Sequence, residues 1–226
     1  MNQFHLVVKM YRHQILKMLG ITLDMNMSVK LHLTEGDSSI LKQVSKKMRG
    51  LWLMKSHLFF KSRKMTAWGL VMSRVLYGIE IWGPAATEKQ VNQMQVIQNS
   101  IMRWVCAARR GTRTSDLLRM TGMMSIRQLI MYRVLMTGLT ALWHRNPRGM
   151  SQWNEEEVDR RLQITKRSFK FYFKKMLSSL PNSLLLKDPR MNKKKIQGWI
   201  IDTIPWDEKW RGLGNEHFSE DSDEDI

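Results

Sequence analysis

From Leu41 to Trp143 the apolar residues of this chain recur at spacings of three and four. That period places them on one face of successive α-helices, so the middle of the chain predicts a helical bundle rather than a sheet. Leu41, Val44, Met48, Leu51 and Leu58 define a first apolar face. Opposite it, Lys42, Lys46 and Arg49 stand at i, i+4 and i+7 and form a basic stripe. Trp68, Val71, Val75, Ile79 and Trp82 make a second stripe that predicts one helix stopping at Gly83-Pro84. Val91, Met94, Ile97, Ile101 and Trp104 make a third, which runs out in the basic turn Arg109-Arg110-Gly111-Thr112-Arg113.

Local signals punctuate these helices. Thr114 reads as the N-cap of a short helix that stops at Gly122. Ser125 followed by Gln128 is a capping-box pattern that opens a helix to about Trp143. Asn146-Pro147-Arg148-Gly149 breaks the chain. Beyond it, Phe169, Tyr172, Phe173, Met176 and Leu180 form an aromatic stripe, and Asp188-Pro189 reads as an N-cap followed by proline at the first helical position. The first third differs. Leu6-Val7-Val8 and Leu19-Gly20-Ile21-Thr22-Leu23 are strand-sized runs, and a hairpin there needs a covering surface because two strands alone are marginal.

The fold class expected is therefore mainly α, with a short N-terminal β-hairpin and an acidic, disordered tail. The divisions are 1–33 for the strands, 34–146 for the helical domain, 147–215 for a helical extension and 216–226 for the tail. A hydrophobic content of 43% supplies a core for most of the 226 residues.

Charge narrows the function. Lys and Arg number 37 against 20 acids, and nine of those acids lie at or after Asp202. Residues 1–201 thus carry 35 bases and 11 acids. A domain this basic attracts a polyanion, and nucleic acid is the commonest. A membrane surface and plain solubility are the competing readings. The apolar window from Met65 to Trp82 is interrupted by Arg74 and Glu80, which suits a core helix better than a membrane span. No secretory pattern opens the chain and Cys106 is the single cysteine, which fits a reducing setting inside the cell, nuclear or cytoplasmic.

Enzyme chemistry finds little support. Two-metal catalysis needs clustered carboxylates, and no such pair sits in an apolar strand-turn context. The six histidines show no i, i+4 pair and have no cysteine companions, so neither a metal nor another cofactor is expected. The basic elements are more informative. Lys42, Lys46 and Arg49 suit successive phosphates along one helix face, against the alternative of a solvated surface. Arg103, Arg109, Arg110 and Arg113 concentrate guanidinium groups around a helix end and turn. Lys193-Lys194-Lys195 reads as a nucleic-acid patch or a targeting signal. Trp52, Trp68, Trp82 and Trp104 lie in or beside the apolar stripes, where core packing is favoured over base stacking.

These residues also carry a resemblance. Lys17-Met18-Leu19-Gly20-Ile21-Thr22-Leu23-Asp24, continuing through Met27-Ser28-Val29-Lys30-Leu31-His32-Leu33, resembles the segment that ends the palm in non-LTR (LINE-type, jockey-like) retrotransposon reverse transcriptases. Its usual form is K-Y-L-G-hydrophobic-x-L-D and then L-S-W-x-x-H-I. Met18, Met27 and Val29 replace the usual Tyr, Leu and Trp. Leu76-Tyr77-Gly78-Ile79-Glu80-Ile81-Trp82 is similar to the family's L-Y-G-x-E-x-W in a thumb helix. Gln98, Ile101, Arg103 and Trp104 follow in the family's order, as does the block from Thr114 to Ile126. Lys166-Arg167-Ser168-Phe169 leading to Leu180-Pro181 is similar to a feature near the C-terminus of some members.

The resemblance implies a thumb-like helical bundle that cradles a template–primer duplex, RNA or RNA/DNA. It makes Leu19, Gly20, Asp24, Tyr77, Gly78, Glu80 and Trp82 structural, with Tyr77, Glu80 and Trp82 internal to the bundle. In the family the aspartate-bearing Tyr-x-Asp-Asp turn lies upstream of the first block, and here Met1 comes first, so no catalytic residue carries over. The reading that follows is a non-catalytic piece with residual nucleic-acid binding. Its alternatives are a helical module that pairs with a palm-bearing chain or with itself, through an apolar face beside the strands, and a decayed product without function.

Overall fold

The structure, a computed structural model, describes residues 16–18, 20–23, 28–36, 38–145, 169–185 and 188–207. Leu19, Asp24, the break at 146–149, the segment Lys166–Ser168 and the tail 216–226 lie outside the described residues.

The chain is mainly helical, as its periodicity predicts. A hairpin pairs β1 (Leu16–Met18) antiparallel to β2 (Ile21–Leu23), with Met18 opposite Ile21 across the turn at Gly20. A π-helical turn (Leu31–Glu35) follows, then α1 (Ile40–Leu53). Val44, Met48 and Leu51 are buried on α1 and Lys42, Lys46 and Arg49 are exposed, as the stripe predicts. Leu58 is not part of α1, because the helix ends at Leu53 and a 3₁₀ turn (Lys55–His57) intervenes.

α2 (Phe60–Ala67) continues through a π-helical stretch (Trp68–Met72) into a last turn (Ser73–Val75). The single helix expected from Trp68 to Trp82 is therefore two. Gly78 adopts the left-handed conformation, φ +62°, and α3 (Ile79–Ala85) starts after it. Pro84 sits inside α3, so the Gly83-Pro84 pair closes the last turn of that helix rather than preceding its end.

α4 (Glu88–Cys106) opens on a capping box. The Thr87 hydroxyl accepts from the Gln90 N–H, and the Gln90 side-chain carbonyl accepts from the Thr87 N–H at 2.8 Å. α5 (Thr114–Thr121) stops at left-handed Gly122. Thr114 is its first helical residue rather than its cap, and its hydroxyl accepts from Asn99 instead. α6 (Ile126–Arg145) begins with the expected box, Ser125 N–H to Gln128 Oε1 at 3.0 Å.

α7 (Phe169–Leu177), α8 (Asn182–Leu185) and α9 (Lys193–Thr203) are the remaining elements among the described residues. Asp188-Pro189 does not start α9. The Asp188 carboxylate accepts from the Arg190 N–H in a turn, and the helix begins three residues later behind Asn192. That bond, with the Arg190 guanidinium alongside, holds the Asp188 carboxyl below the usual carboxylate range.

α4 and α6 form the centre, with α1, α2 and α5 against α4 and with α3, α7 and α9 against α6. Residues from β2 to α9 share one hydrophobic core, apart from a small second cluster of Met102, Leu117 and Leu118, and the aromatic stripe of α7 packs into the main core with the helices before the chain break. Phe173 lies against Gly138 of α6, where a Cβ would overlap its ring. A buried amide chain ties the elements together. Gln98 donates to the Met124 carbonyl at 2.8 Å, Gln95 accepts from the Ile126 N–H at 2.9 Å, and Gln128 donates to the Ile204 carbonyl at 2.8 Å. Each satisfies a backbone group that burial would otherwise leave costly.

Candidate nucleic-acid interface

The helix ends beside Arg49 and the arginine turn meet. The Trp104 indole N–H donates to the Leu51 carbonyl at 2.7 Å, which joins the last turn of α1 to the last turn of α4. Arg49 lies just before Leu51, and the turn bearing Arg109, Arg110 and Arg113 follows Trp104. Lys42 stands seven residues up α1, about 10 Å from Arg49 along the helix, a span of about three phosphates on one strand. Arg109, Arg110 and Arg113 are all exposed.

Arg103 departs from that set. It is partly buried, and its guanidinium donates to the Thr112 carbonyl at 3.4 Å. It braces the turn that presents the other three arginines. A positive group at the C-terminal end of α4 also complements the helix dipole.

Periodicity alone did not find the remainder of the surface. Residues 38–79 contain no acid and nine bases: Lys42, Lys46, Lys47, Arg49, Lys55, Lys61, Arg63, Lys64 and Arg74. The absence of acids over that stretch is the signal that extends the stripe of α1 into α2. Lys64 donates to the Thr121 carbonyl at 2.6 Å, at the end of α5. Lys47 donates to the Leu70 carbonyl at 3.0 Å, and Arg74 to the Gln43 side-chain oxygen at 2.7 Å, so both pin α1 to the second half of α2. Cys106 lies near Arg63 and Lys64, yet burial dominates and pushes its thiol up, so it stays protonated.

Exposed apolar side chains crowd the same stretch. Trp52 is 44% exposed, Leu53 82%, Phe59 86% and Trp68 43%, with Met54, Phe60, Met65 and Leu70 also exposed. The Lys55 ammonium lies 4.9 Å from the centre of the Trp52 ring. This corrects the expectation for two tryptophans. Trp82 and Trp104 are core residues, whereas Trp52 and Trp68 reach the surface. For Trp68 the reason is the π-helical stretch, whose wider turn rotates it away from the face shared by Val71 and Val75.

The apolar face expected beside the strands is absent on β2, where Ile21 and Leu23 are buried. Among the described residues, exposed large apolar side chains are densest over 52–70.

The motif residues meet in pairs. Tyr77 packs over Gly20, its ring 3.6 Å from where a Cβ would stand, and Ile21 packs onto Gly78. Trp82 is fully buried and its indole donates to the Tyr77 carbonyl at 3.1 Å. Tyr77 is 46% exposed and Glu80 is partly so; neither is internal as expected. Both lie at the corner where α3 leaves left-handed Gly78, which turns them outward.

A groove of about 580 Å³ opens between α2, the α5–α6 turn and α9. Trp68, Met65, Met123, Met124 and Leu129 make it apolar, with Lys61 and Lys64 on the α2 side and Gln197 on α9. Among the described residues no group of three or more His, Cys, Asp or Glu is placed to hold a metal ion. No helix among them is long and apolar enough to cross a membrane. No protein-family profile matches the chain, and comparisons with curated proteins and with solved structures return no match.

Proposed function

We propose that this chain is a non-catalytic nucleic-acid-binding module, a piece of a LINE-type reverse transcriptase that keeps a thumb-like grip on phosphates without the polymerase carboxylates. The observation that carries the reading is the acid-free stretch 38–79, whose nine cations run from α1 into α2 beside the exposed arginine turn 109–113. A surface with that sign and density neutralises phosphates and releases counterions, and it distinguishes no base sequence. The meeting of the hairpin turn with the Leu76–Gly78 corner supports the ancestry, because the two blocks that resemble the family sit together.

A second reading has its own observation. Trp52, Leu53, Met54, Phe59, Phe60, Met65, Trp68 and Leu70 are all exposed within residues 52–70, and crowded exposed apolar side chains of this kind suit an interaction surface. A palm-bearing chain or a second copy covering that surface would make the protein an interaction module.

Titration of a labelled RNA/DNA duplex at low and moderate salt decides between them. The first reading expects binding that weakens steeply with salt and no primer extension with Mg²⁺ or Mn²⁺. A purified chain that ignores the duplex at low salt, or that extends a primer, overturns it.

A further inference from the structure

Resting on the nucleic-acid reading, we infer that the groove beside α2 takes an unpaired nucleobase, stacked on the Trp68 indole, with the flanking phosphates on Lys61 and Lys64. The surface then prefers single strands to duplexes.

Four features point to this occupant. First, the groove is roomy enough for a small planar ligand and is apolar apart from a few polar groups, the usual composition of a ligand site. Second, its wall carries an aromatic side chain, Trp68, that is 43% exposed. A stacking platform needs that exposure, and a core tryptophan lacks it. Third, Lys64 and Lys61 lie one and two turns before Trp68 on the same side of α2, so cations line the groove's edge beside the indole. Lys64 is held there by its bond to the Thr121 carbonyl.

Fourth, the opposite wall repeats the chemistry. Gln197 of α9 faces the groove with a side-chain amide, a group that can donate to and accept from a base edge. Lys193 and Lys194 precede it by four and three residues and are exposed, which puts them on Gln197's side of α9. A strand crossing the groove meets cations on both banks and an apolar, aromatic floor between them. A duplex hides its base faces and cannot use that floor, whereas an extended single strand can.

The chain's own residues 208–226 are the competing occupant, since they follow Trp206, which packs against the same Met102–Leu117–Leu118 cluster as the groove residue Met123. They carry seven acids: Glu208, Glu216, Glu220, Asp221, Asp223, Glu224 and Asp225.

The test compares a fluorescent single-stranded oligonucleotide with a hairpin duplex of the same length, by anisotropy, for the full chain and three variants. Trp68→Ala is expected to weaken single-strand binding about 5- to 150-fold, the span of one lost base stack, and to leave duplex binding within twofold. Its log affinity against log salt keeps the original slope, because stacking releases no counterions. Trp68→Phe recovers most of the loss. Lys61→Ala also weakens single-strand binding but, unlike Trp68→Ala, flattens the salt slope by about one unit. Equal losses for both ligands make Trp68 a structural residue and overturn the proposal, as does unchanged single-strand binding. If Trp68→Ala tightens single-strand binding, the tail occupies the groove and the proposal falls. Binding to neither ligand by the unaltered chain defeats the nucleic-acid reading itself, a result distinct from all of these.

Discussion

The Ile21 side chain presses against the Cα of Gly78, and no side chain fits between them. Gly78 has φ +62°, and a Cβ built on it would overlap the Ile21 Cδ1 methyl group. The hairpin and the corner between α2 and α3 are thereby locked together, 57 residues apart in sequence. Gly78→Ala meets two penalties, the left-handed conformation and the overlap, which together amount to about 2–4 kcal/mol. The melting temperature is expected to fall by about 5–12 °C. Calorimetry giving a melting point within a degree of the original would mean that the hairpin does not dock there.

His32 gives the fold a pH dependence. It is buried, its Nε2 has no hydrogen-bond partner, and Arg74 is nearby. Burial first and the Arg74 charge second hold its pKa below the ordinary 6.5. The folded chain therefore binds fewer protons at this site than the unfolded chain. Stability from this site is complete above about pH 6.5 and is lost as the pH falls through that value toward the lowered folded pKa. Thermal melts from pH 8 to pH 5 should show a falling midpoint, and His32→Leu should flatten that dependence. A midpoint that rises on acidification, or a His32→Leu profile identical to the original, would contradict it.

The helices were legible because burial in a helical bundle enforces one period, and Val44, Ile79, Ile101 and Leu117 obey it. Gly122 and the Ser125–Gln128 pair were legible because their chemistry is local. What escaped depends on long-range geometry. The π-helical stretch at Trp68–Met72 has no distinctive residue pattern, yet it decides whether Trp68 faces core or solvent. The break at Gly78 reads as helix by spacing, and only the approach of Ile21 shows why glycine stands there. Asp188-Pro189 has the composition of a helix start, but the Asp188 carboxylate closes a turn instead. In the basic site, the stripe on α1 was legible, whereas Lys61 and Lys64 acquire meaning only beside the groove they border.

The acidic tail offers an independent check. Residues 216–226 carry six acids, Glu216, Glu220, Asp221, Asp223, Glu224 and Asp225, and covalent linkage to a basic domain raises their effective concentration as a competitor for its cations. Removing 216–226 is expected to tighten duplex binding at low salt, and the gain should shrink as salt screens the contact. Affinity that does not change on deletion would show that the tail does not compete for the duplex surface.

The most direct measurement is the salt dependence of duplex affinity for the full chain and two triple variants. If Lys42, Lys46 and Arg49 each neutralise a phosphate, replacing all three by Ala flattens the line of log affinity against log salt by about two to three units. Replacing Arg109, Arg110 and Arg113 by Ala is expected to do the same, since each of these side chains is exposed too. Circular dichroism should be unchanged, because all six side chains are exposed. Slopes equal to that of the unaltered chain in both variants would contradict the account.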